Sequence, residues 1–214
     1  MSPPKLTRER VLEGAVALAD RVGMEGFTIR KLAEQLDTKP MSIYHHVPNK
    51  EAIIDGMVDA VFAEMTRPPP DVPWQEAMTV VAHSAREVLA RHPWATPLLD
   101  SRSNPGPATL GHHNAMIGCC RAAGFSVEAT AHAVALIDAF VYGYSLQEAA
   151  LPATGGEDMT ELVEAMSSVL DPERYPHLVE FTMEHVMQPG YDFTKEFDFG
   201  LSLVLDGLEA AAGR

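Results

Sequence analysis

The chain has 214 residues, 46% of them hydrophobic, so it can bury a sizeable core and is not a disordered segment. Its apolar stretches are interrupted well short of 18 residues and its first residues are too polar for a signal peptide, so we expect no membrane segment and a cytoplasmic location. The two cysteines, Cys119 and Cys120, are adjacent, which excludes a disulfide framework and leaves packing as their expected role.

The net charge of −14 is unevenly distributed along the chain. Residues 1–50 carry eight Lys and Arg against six Asp and Glu, a net charge of +2, whereas residues 51–214 carry eight against 24, a net charge of −16. Because an acidic surface is repelled by phosphate, only the first fifty residues can face nucleic acid. The distribution predicts a small N-terminal DNA-binding module and a larger part with another task.

Two helices are predicted at the start of the chain. Apolar residues at helical spacing follow Thr7 and stop at Gly23, which is suited to a helix C-terminus. Thr28 is an expected N-cap for a second helix of two turns, in which small Ala33 allows close approach of a neighbouring helix.

A short turn at Asp37 and Thr38 leads to a third helix over residues 40–46, with Pro40 in its first turn. Ile43 and Val47 should face inward. Two short helices joined by a tight turn predict a helix-turn-helix, which places its second helix in the major groove.

The outer face of the third helix carries side chains suited to DNA. Ser42 and His45 can bond base edges, and Pro40 or Met41 can touch a thymine methyl group. Phosphates or bases are within reach of the remaining candidates, Arg30, Lys39, Tyr44 and Lys50. The alternative is a helical hairpin that belongs to a core.

The segment over residues 27–54, FTIRKLAEQLDTKPMSIYHHVPNKEAII, resembles the DNA-binding signature of the tetracycline-repressor (TetR/AcrR) family, above all in its Tyr-x-His-Val-x-Asn-Lys ending. The resemblance implies that Thr28 and Arg30 begin the second helix at the DNA and that residues 40–46 read bases. It also implies that the DNA backbone is held by Tyr44, His46 and Lys50. Asp37 and Thr38 stand where the family usually has Gly and Val, so the turn departs from the pattern.

A fourth helix, from Lys50 to about Thr66, is followed by a proline-rich linker and a domain in which no segment alternates like a strand. The predicted fold is therefore all-α. Further helices are expected at 74–91, 93–99, 107–123, 126–150, 158–170, 175–187 and 193–212. The expected division is a DNA-binding domain 1–48, a connecting helix 49–66, a linker 67–73 and a ligand-binding and dimerisation domain 74–214.

The resemblance continues more weakly to about residue 150, through Trp74-Gln75, His92, Gly124-Phe125 and Gly143. It implies a homodimer in which helices 126–150 and 193–212 pair with their copies in a four-helix bundle. Small and apolar residues on both helices fit this role: Ala129, Ala133, Leu136, Gly143, Leu146, Gly200, Leu203, Val204, Gly207 and Leu208. Ordinary packing within one chain is the alternative.

The tetracycline repressor holds a magnesium-chelated drug with His, Asn and Glu side chains. A rough alignment puts Thr66, Val81, Leu98 or Leu99, and Gln147 at those positions, so we expect no response to tetracycline. A mostly apolar inducer of another kind is expected, with candidate contacts at Trp94, Leu98, His112, Met116, Phe140, Tyr144, Gln147 and Phe181. Plain core packing would explain each of these residues as well.

No metal site, cofactor or catalytic motif is expected. His112 and His113 diverge on one helix, as do Cys119 and Cys120, so no face collects three ligands with His132. The sequence predicts a ligand-responsive transcriptional regulator, a repressor that binds a palindromic operator as a homodimer and is released by an inducer. A helical enzyme and a protein-binding adaptor are the alternatives.

Overall fold

The computed structural model describes residues 5–166 and 170–213 of the chain. Within these ranges every regular element is helical, and the one β feature is an isolated bridge between Gly155 and Asp192. The predicted all-α fold is confirmed. No helix in the described ranges is both long enough and apolar enough to cross a membrane.

Contacts within the chain divide it into two compact units, Met1–Ser145 and Leu146–Arg214. The first unit contains the expected DNA-binding module and also most of the helices that follow it. The functional boundaries at residues 48, 66 and 73 stay a prediction.

The first unit is built from seven α-helices and one 3₁₀ helix. They are α1 (Arg8–Gly26), α2 (Ile29–Gln35), α3 (Pro40–Tyr44), α4 (Lys50–Glu64), α5 (Trp74–Arg91), the 3₁₀ helix (Thr96–Ser101), α6 (Pro107–Ala122) and α7 (Val127–Ala150), whose last residues belong to the second unit. Helix α3 ends two residues before the predicted boundary at His46, and α4 ends at Glu64 instead of Thr66. The predicted piece at 93–99 is the 3₁₀ helix, displaced by two to three residues.

Side-chain caps explain where three of these helices begin. Oxygen atoms of Thr7, Thr28 and Asn49 accept hydrogen bonds from backbone N–H groups three residues further on, at 3.2, 3.2 and 2.8 Å. Gly23 has a φ of 67°, so the regular part of α1 ends there, as predicted, and one further turn carries the chain to Gly26.

The N-terminal helices pack closely through glycine. A Cβ atom on Gly56 of α4 would lie 2.6 Å from Cδ2 of Leu12 on α1, and one on Gly14 would lie 2.8 Å from Cδ2 of Leu36. The predicted apolar stripe of α1 is buried apart from half-buried Val22. The core of this part is therefore formed by the inner faces of α1, α2, α3 and α4.

The second unit has three α-helices: α8 (Gly156–Met166), α9 (Pro176–Phe181) and α10 (Lys195–Ala211). Residues 167–169 of the helix predicted at 158–170 lie outside the described residues. The helix predicted at 175–187 is α9 followed by a π-helical turn, Thr182–Val186. Beside the isolated bridge, the backbone N–H of Phe193 donates to the carbonyl of Thr154 at 2.8 Å.

Candidate nucleic-acid interface and ligand site

The start of α2 presents a capped and exposed N-terminus. Thr28 is exposed, and its hydroxyl oxygen accepts from the backbone N–H of Lys31 at 3.2 Å. Arg30 Nε lies 3.0 Å from Glu34 Oε1, and the two side chains are 86% and 62% exposed. Because an ion pair this exposed contributes little free energy, Arg30 can exchange Glu34 for a phosphate or a base at small cost.

The turn between α2 and α3 depends on Asp37. Its φ of 49° lies in the left-handed region, where glycine is usual and where Asp is one of the better tolerated alternatives. The backbone N–H of Thr38 donates to the carbonyl of Ala33 at 2.9 Å, which closes the end of α2. The departure from the Gly-Val pattern therefore leaves a regular helix-turn-helix connection.

Helix α3 turns one face inward and one outward. Ile43 and Val47 are almost completely buried, as predicted, whereas Met41 is 69% exposed. Backbone N–H groups of His46 and Val47 both donate to the carbonyl of Ile43, so the chain tightens after Tyr44 and the helix ends. Of the predicted contact residues here, Lys39, Pro40, Met41 and His45 are exposed and Ser42, Tyr44 and His46 are half-buried.

Lys50 lies beside the start of α2. Its Nζ atom is 5.9 Å from the centroid of the Phe27 ring, and Asn49 caps α4 directly before it. A lysine at the positive end of a 15-residue helix is suited to hold a phosphate. The structure thus brings the predicted DNA contacts from α2, α3 and α4 onto neighbouring elements.

Polar contacts tie α4 to the helices that follow, and the sequence did not predict them. Arg102, after the 3₁₀ helix, donates to Glu51 and to Asp55, both at 2.7 Å. These bonds, above all the one to Glu51, raise the pKa of Arg102 above its usual value. Further along the same face, Asp59 Oδ1 accepts from the backbone N–H and the hydroxyl of Thr109 at 2.8 and 3.0 Å.

Two predicted ligand contacts, His112 and Met116, are buried on α6. The ring of His112 is 5.4 Å from that of Phe62 on α4, and its Nδ1 atom has no hydrogen-bond partner among the described residues. Burial lowers the pKa of His112 to about 4, with a smaller contribution from His113, so the ring is neutral at pH 7.

Beside these residues lies a polar cluster that the sequence did not predict. Asp138 Oδ2 on α7 is 3.8 Å from His113 Nε2, and burial raises the pKa of Asp138 to about 6. The Tyr142 hydroxyl is buried without a hydrogen-bond partner in the described part of the chain, and burial raises its pKa. Asp100 lies near enough to raise both pKa values. The i, i+4 spacing of Asp138 and Tyr142 is the sequence feature that could have indicated this cluster.

Two more predicted contacts lie on α7, and Leu98 lies in the 3₁₀ helix. The ring of half-buried Phe140 is 6.0 Å from that of buried Tyr144, over which the Arg86 guanidinium lies at 5.1 Å. Leu98 is half-buried.

The remaining predicted ligand contacts lie elsewhere. Trp94 is buried, but its indole N–H donates to Asp20 of α1 at 2.6 Å. Gln147 and Phe181 belong to the second unit and are exposed there, with the Phe181 ring 5.4 Å from that of His185. Trp94 is therefore bonded to α1, and Gln147 and Phe181 belong to a different unit from the other six candidates.

The cysteines and histidines give no sign of metal chemistry. Among the described residues, no three His, Cys, Asp or Glu side chains lie close enough together to hold a metal ion. Burial raises the pKa of Cys119 and raises that of Cys120 to about 11, so both thiols are protonated at pH 7.

An exposed helix-turn-helix on a basic N-terminal module, followed by a larger and acidic set of helices, is typical of helical DNA-binding regulators. The sequence matches the family described as "Bacterial regulatory proteins, tetR family" over residues 11–57 and "Tetracyclin repressor-like, C-terminal domain" over residues 67–212. The chain belongs to the TetR family and is a ligand-responsive transcriptional repressor of that family.

Its relatives are transcriptional regulators. The chain is 33% identical to the HTH-type transcriptional repressor DrrR1 of Streptomyces coeruleorubidus, over 96% of this chain and 78% of that protein. It is 28% identical to the tetracycline repressor protein class C of Escherichia coli, over 96% and 91%. ActR of Streptomyces coelicolor, solved in complex with actinorhodin, superposes with a TM-score of 0.78 at 27% identity, over 98% and 100%.

Proposed function

We propose that this repressor binds a palindromic operator as a homodimer through α3 and is released by a mostly apolar inducer that donates hydrogen bonds. It acts in the cytoplasm and catalyses no reaction. The observation that carries the proposal is the two-sided character of α3, with Ile43 and Val47 buried behind an exposed face that begins at Lys39 and Met41.

The proposed DNA contacts fall into base contacts and phosphate contacts, according to the length and chemistry of each side chain. Met41, Ser42 and His45 are suited to base edges and to the methyl group of thymine. The phosphate contacts are assigned to Thr28, Arg30, Tyr44, His46 and Lys50, with Lys39 and Pro40 at the groove edge. Because the rest of the chain is strongly acidic, we expect DNA to touch only this module.

Exposed apolar side chains on α7 and α10 support a homodimer through these two helices. On α7, Val127 and Leu136 are 74% and 52% exposed, and a Cβ atom on Gly143 would meet nothing within 4 Å. On α10, Phe199 and Leu203 are 64% and 58% exposed. Water-exposed leucine and phenylalanine at helical spacing favour burial against a second copy.

The chemistry of the inducer follows from the buried polar atoms. His113 Nδ1 lies 2.9 Å from the Thr109 carbonyl and must donate to it, and the 3.8 Å from its Nε2 to Asp138 is too long for a hydrogen bond. The Tyr142 hydroxyl is buried without a partner among the described residues, and the nearby Asp138 carboxylate is 17% exposed, so a donor placed between them would gain free energy from both. We assign the inducer O–H or N–H groups directed at this pair.

We assign the remaining candidate contacts as the apolar walls around the inducer. These are Leu98, Met116, Phe140 and Tyr144, with His112 as a polar handle. ActR has been solved with actinorhodin, which supports a small-molecule effector for this chain as well. Trp94 is the weakest candidate for this role, because its N–H is already bonded to Asp20.

Tetracycline is not the proposed inducer. The aligned positions hold Thr66, Val81, Leu98 or Leu99, and Gln147. The hydroxyl of Ser84 accepts from the Thr66 backbone N–H at 2.8 Å. None of these side chains offers the imidazole or carboxylate that a hard cation requires.

DNA binding is tested by selecting an operator from random-sequence DNA and measuring its fluorescence anisotropy with the purified protein. We expect tight binding that weakens steeply between low and moderate salt and that resists scrambled competitor. If neither the selected pool nor DNA upstream of the gene is bound by protein shown to be ligand-free by mass spectrometry, the proposal is wrong.

The inducer is tested on the same protein–operator complex with polycyclic aromatic phenols, each paired with its methyl ether. Phenols should release the DNA at lower concentration than their ethers, since only they can donate to Asp138 and Tyr142. Equal potency of phenols and ethers would contradict the assigned pair, and release by tetracycline would contradict its exclusion.

A further inference from the structure

A polar contact joins the DNA-binding module to the corner that follows α5. Asp20 Oδ1 on α1 lies 2.7 Å from His92 Nδ1 and accepts from the indole N–H of Trp94 at 2.6 Å. On the other side of the imidazole, Nε2 lies 3.2 Å from Glu64 Oε1 at the end of α4, and Arg91 donates to the second oxygen of Glu64 at 2.6 Å. We call Asp20, Glu64, His92 and Trp94 the Asp20 corner.

His92 is held in one orientation at the centre of this corner. It is 6% exposed, and its backbone N–H donates to the Val88 carbonyl at 3.0 Å, which ends α5. Both ring nitrogens face carboxylate oxygens. Charge-assisted hydrogen bonds of this kind are short and directional, so they fix an angle between elements better than apolar packing does.

Leu18 and Ala19 of α1, next to Asp20 in the sequence, are buried. An open groove of about 400 Å³ lies between α1 and α4, and Leu12, Asp20 and Glu64 are among its lining residues. Leu12 packs closely against Gly56 of α4. The polar contacts of the Asp20 corner therefore add a directional restraint on α1 to that of its apolar packing.

We propose that the Asp20 corner is a positioning contact that sets the angle of α1, α2 and α3 relative to α5, and through it the operator spacing that the dimer accepts. This inference rests on the proposed function, since only a dimer on two half-sites has a spacing to set. Asp20, His92 and Trp94 are positioning residues and make no contact with DNA.

A contact that only stabilises the fold would lower affinity for every operator alike. A contact that sets the angle of the module has a second effect, because its loss lets each module adapt to a different separation. One added base pair moves the half-sites about 3.4 Å further apart and rotates one about the helix axis. Spacing tolerance is thus the readout that separates the two roles.

The test uses Asp20→Ala, with Glu13→Ala as the matched control, since both remove one exposed carboxylate from α1. Anisotropy is measured on the selected operator and on versions with one base pair added or removed between half-sites. For the wild type and for Glu13→Ala we expect a large loss of affinity on the altered spacings. For Asp20→Ala we expect this loss to be roughly tenfold smaller, the scale of one hydrogen bond to a charged group.

If the ratio of affinities for the selected operator and for the altered spacings is the same in Asp20→Ala as in the wild type, the inference is overturned, whether or not the overall affinity of the variant falls. Trp94→Phe, which keeps the ring and removes the N–H donor, should shift the ratio in the same direction and serves if Asp20→Ala folds poorly. Failure of the wild type to bind any operator overturns the proposed function instead, so the two failures are distinguishable.

Discussion

At the scale of single residues, burial decides the chemistry of the proposed inducer site. The i, i+4 spacing of Asp138 and Tyr142 on α7 is visible in the sequence. Nothing in the sequence indicates that His113 of α6 and Asp100 lie near them. The raised pKa of Asp138 arises from that three-dimensional setting, mainly from loss of water.

This pKa gives the protein a pH-dependent stability. In the unfolded chain Asp138 has its ordinary pKa of 3.8, and folding raises it to about 6, so the folded state binds the proton more tightly. Stability should therefore fall as pH rises from about 4 to about 6 and stay lower above that range, by an order of 1 to 3 kcal/mol. Asp138→Asn should remove this loss, so that the variant exceeds the wild type at pH 8 and matches it near pH 4.

Urea unfolding at several pH values measures the difference. Glu13→Gln is the control, since Glu13 is exposed and should unfold like the wild type throughout. A gain in Asp138→Asn that is equal at pH 4 and pH 8 would show that the carboxyl is not protonated by folding.

At the scale of elements, the caps and the turn were predictable because their causes are local. Thr28 caps the helix that the sequence assigned to it, Asn49 supplies the same kind of cap to α4, and Asp37 adopts the left-handed conformation that Asp tolerates. The boundary of α3 was not predictable to the residue, since it depends on both His46 and Val47 donating to one carbonyl.

Contacts between distant residues were not predictable from one sequence. Arg102 is 51 residues from Glu51, and His92 is 72 residues from Asp20. A regular spacing of Glu51, Asp55 and Asp59 marks one face of α4 as acidic, but it does not name the partners of that face.

The left-handed conformation of Asp37 leads to a testable prediction at this scale. With φ at 49°, Asp37→Gly should be nearly neutral, whereas Asp37→Val should destabilise the protein by about 1 to 2 kcal/mol and weaken operator binding. Asp71→Val is the matched control, because Asp71 also has positive φ, at 64°, but lies between α4 and α5. It should lower the free energy of unfolding by a similar amount, measured in urea, and leave operator affinity unchanged at temperatures where it is folded.

At the scale of the whole molecule, α7 and α10 expose apolar side chains that the proposed homodimer would bury. We expect Leu136→Glu and Leu203→Glu to reduce the mass measured by light scattering to that of one chain, because each would bury an unpaired carboxylate in the dimer. Leu110→Glu on α6 is the control, since Leu110 is also 58% exposed but lies outside the proposed interface. A Leu136→Glu protein that keeps the mass of two chains would place the interface elsewhere.

The decisive measurement for the DNA-binding face is operator binding by the variants Lys50→Ala and Tyr44→Phe. Binding is monitored by fluorescence anisotropy as the salt concentration is raised. Each variant should lose about tenfold or more in affinity on every operator, and Lys50→Ala should reduce the salt slope by about 1, as expected for one lost phosphate contact. Lys195→Ala removes a lysine from α10 in the second unit and should bind like the wild type. Unchanged affinity and salt slope in Lys50→Ala and Tyr44→Phe would contradict the assignment of this face to DNA.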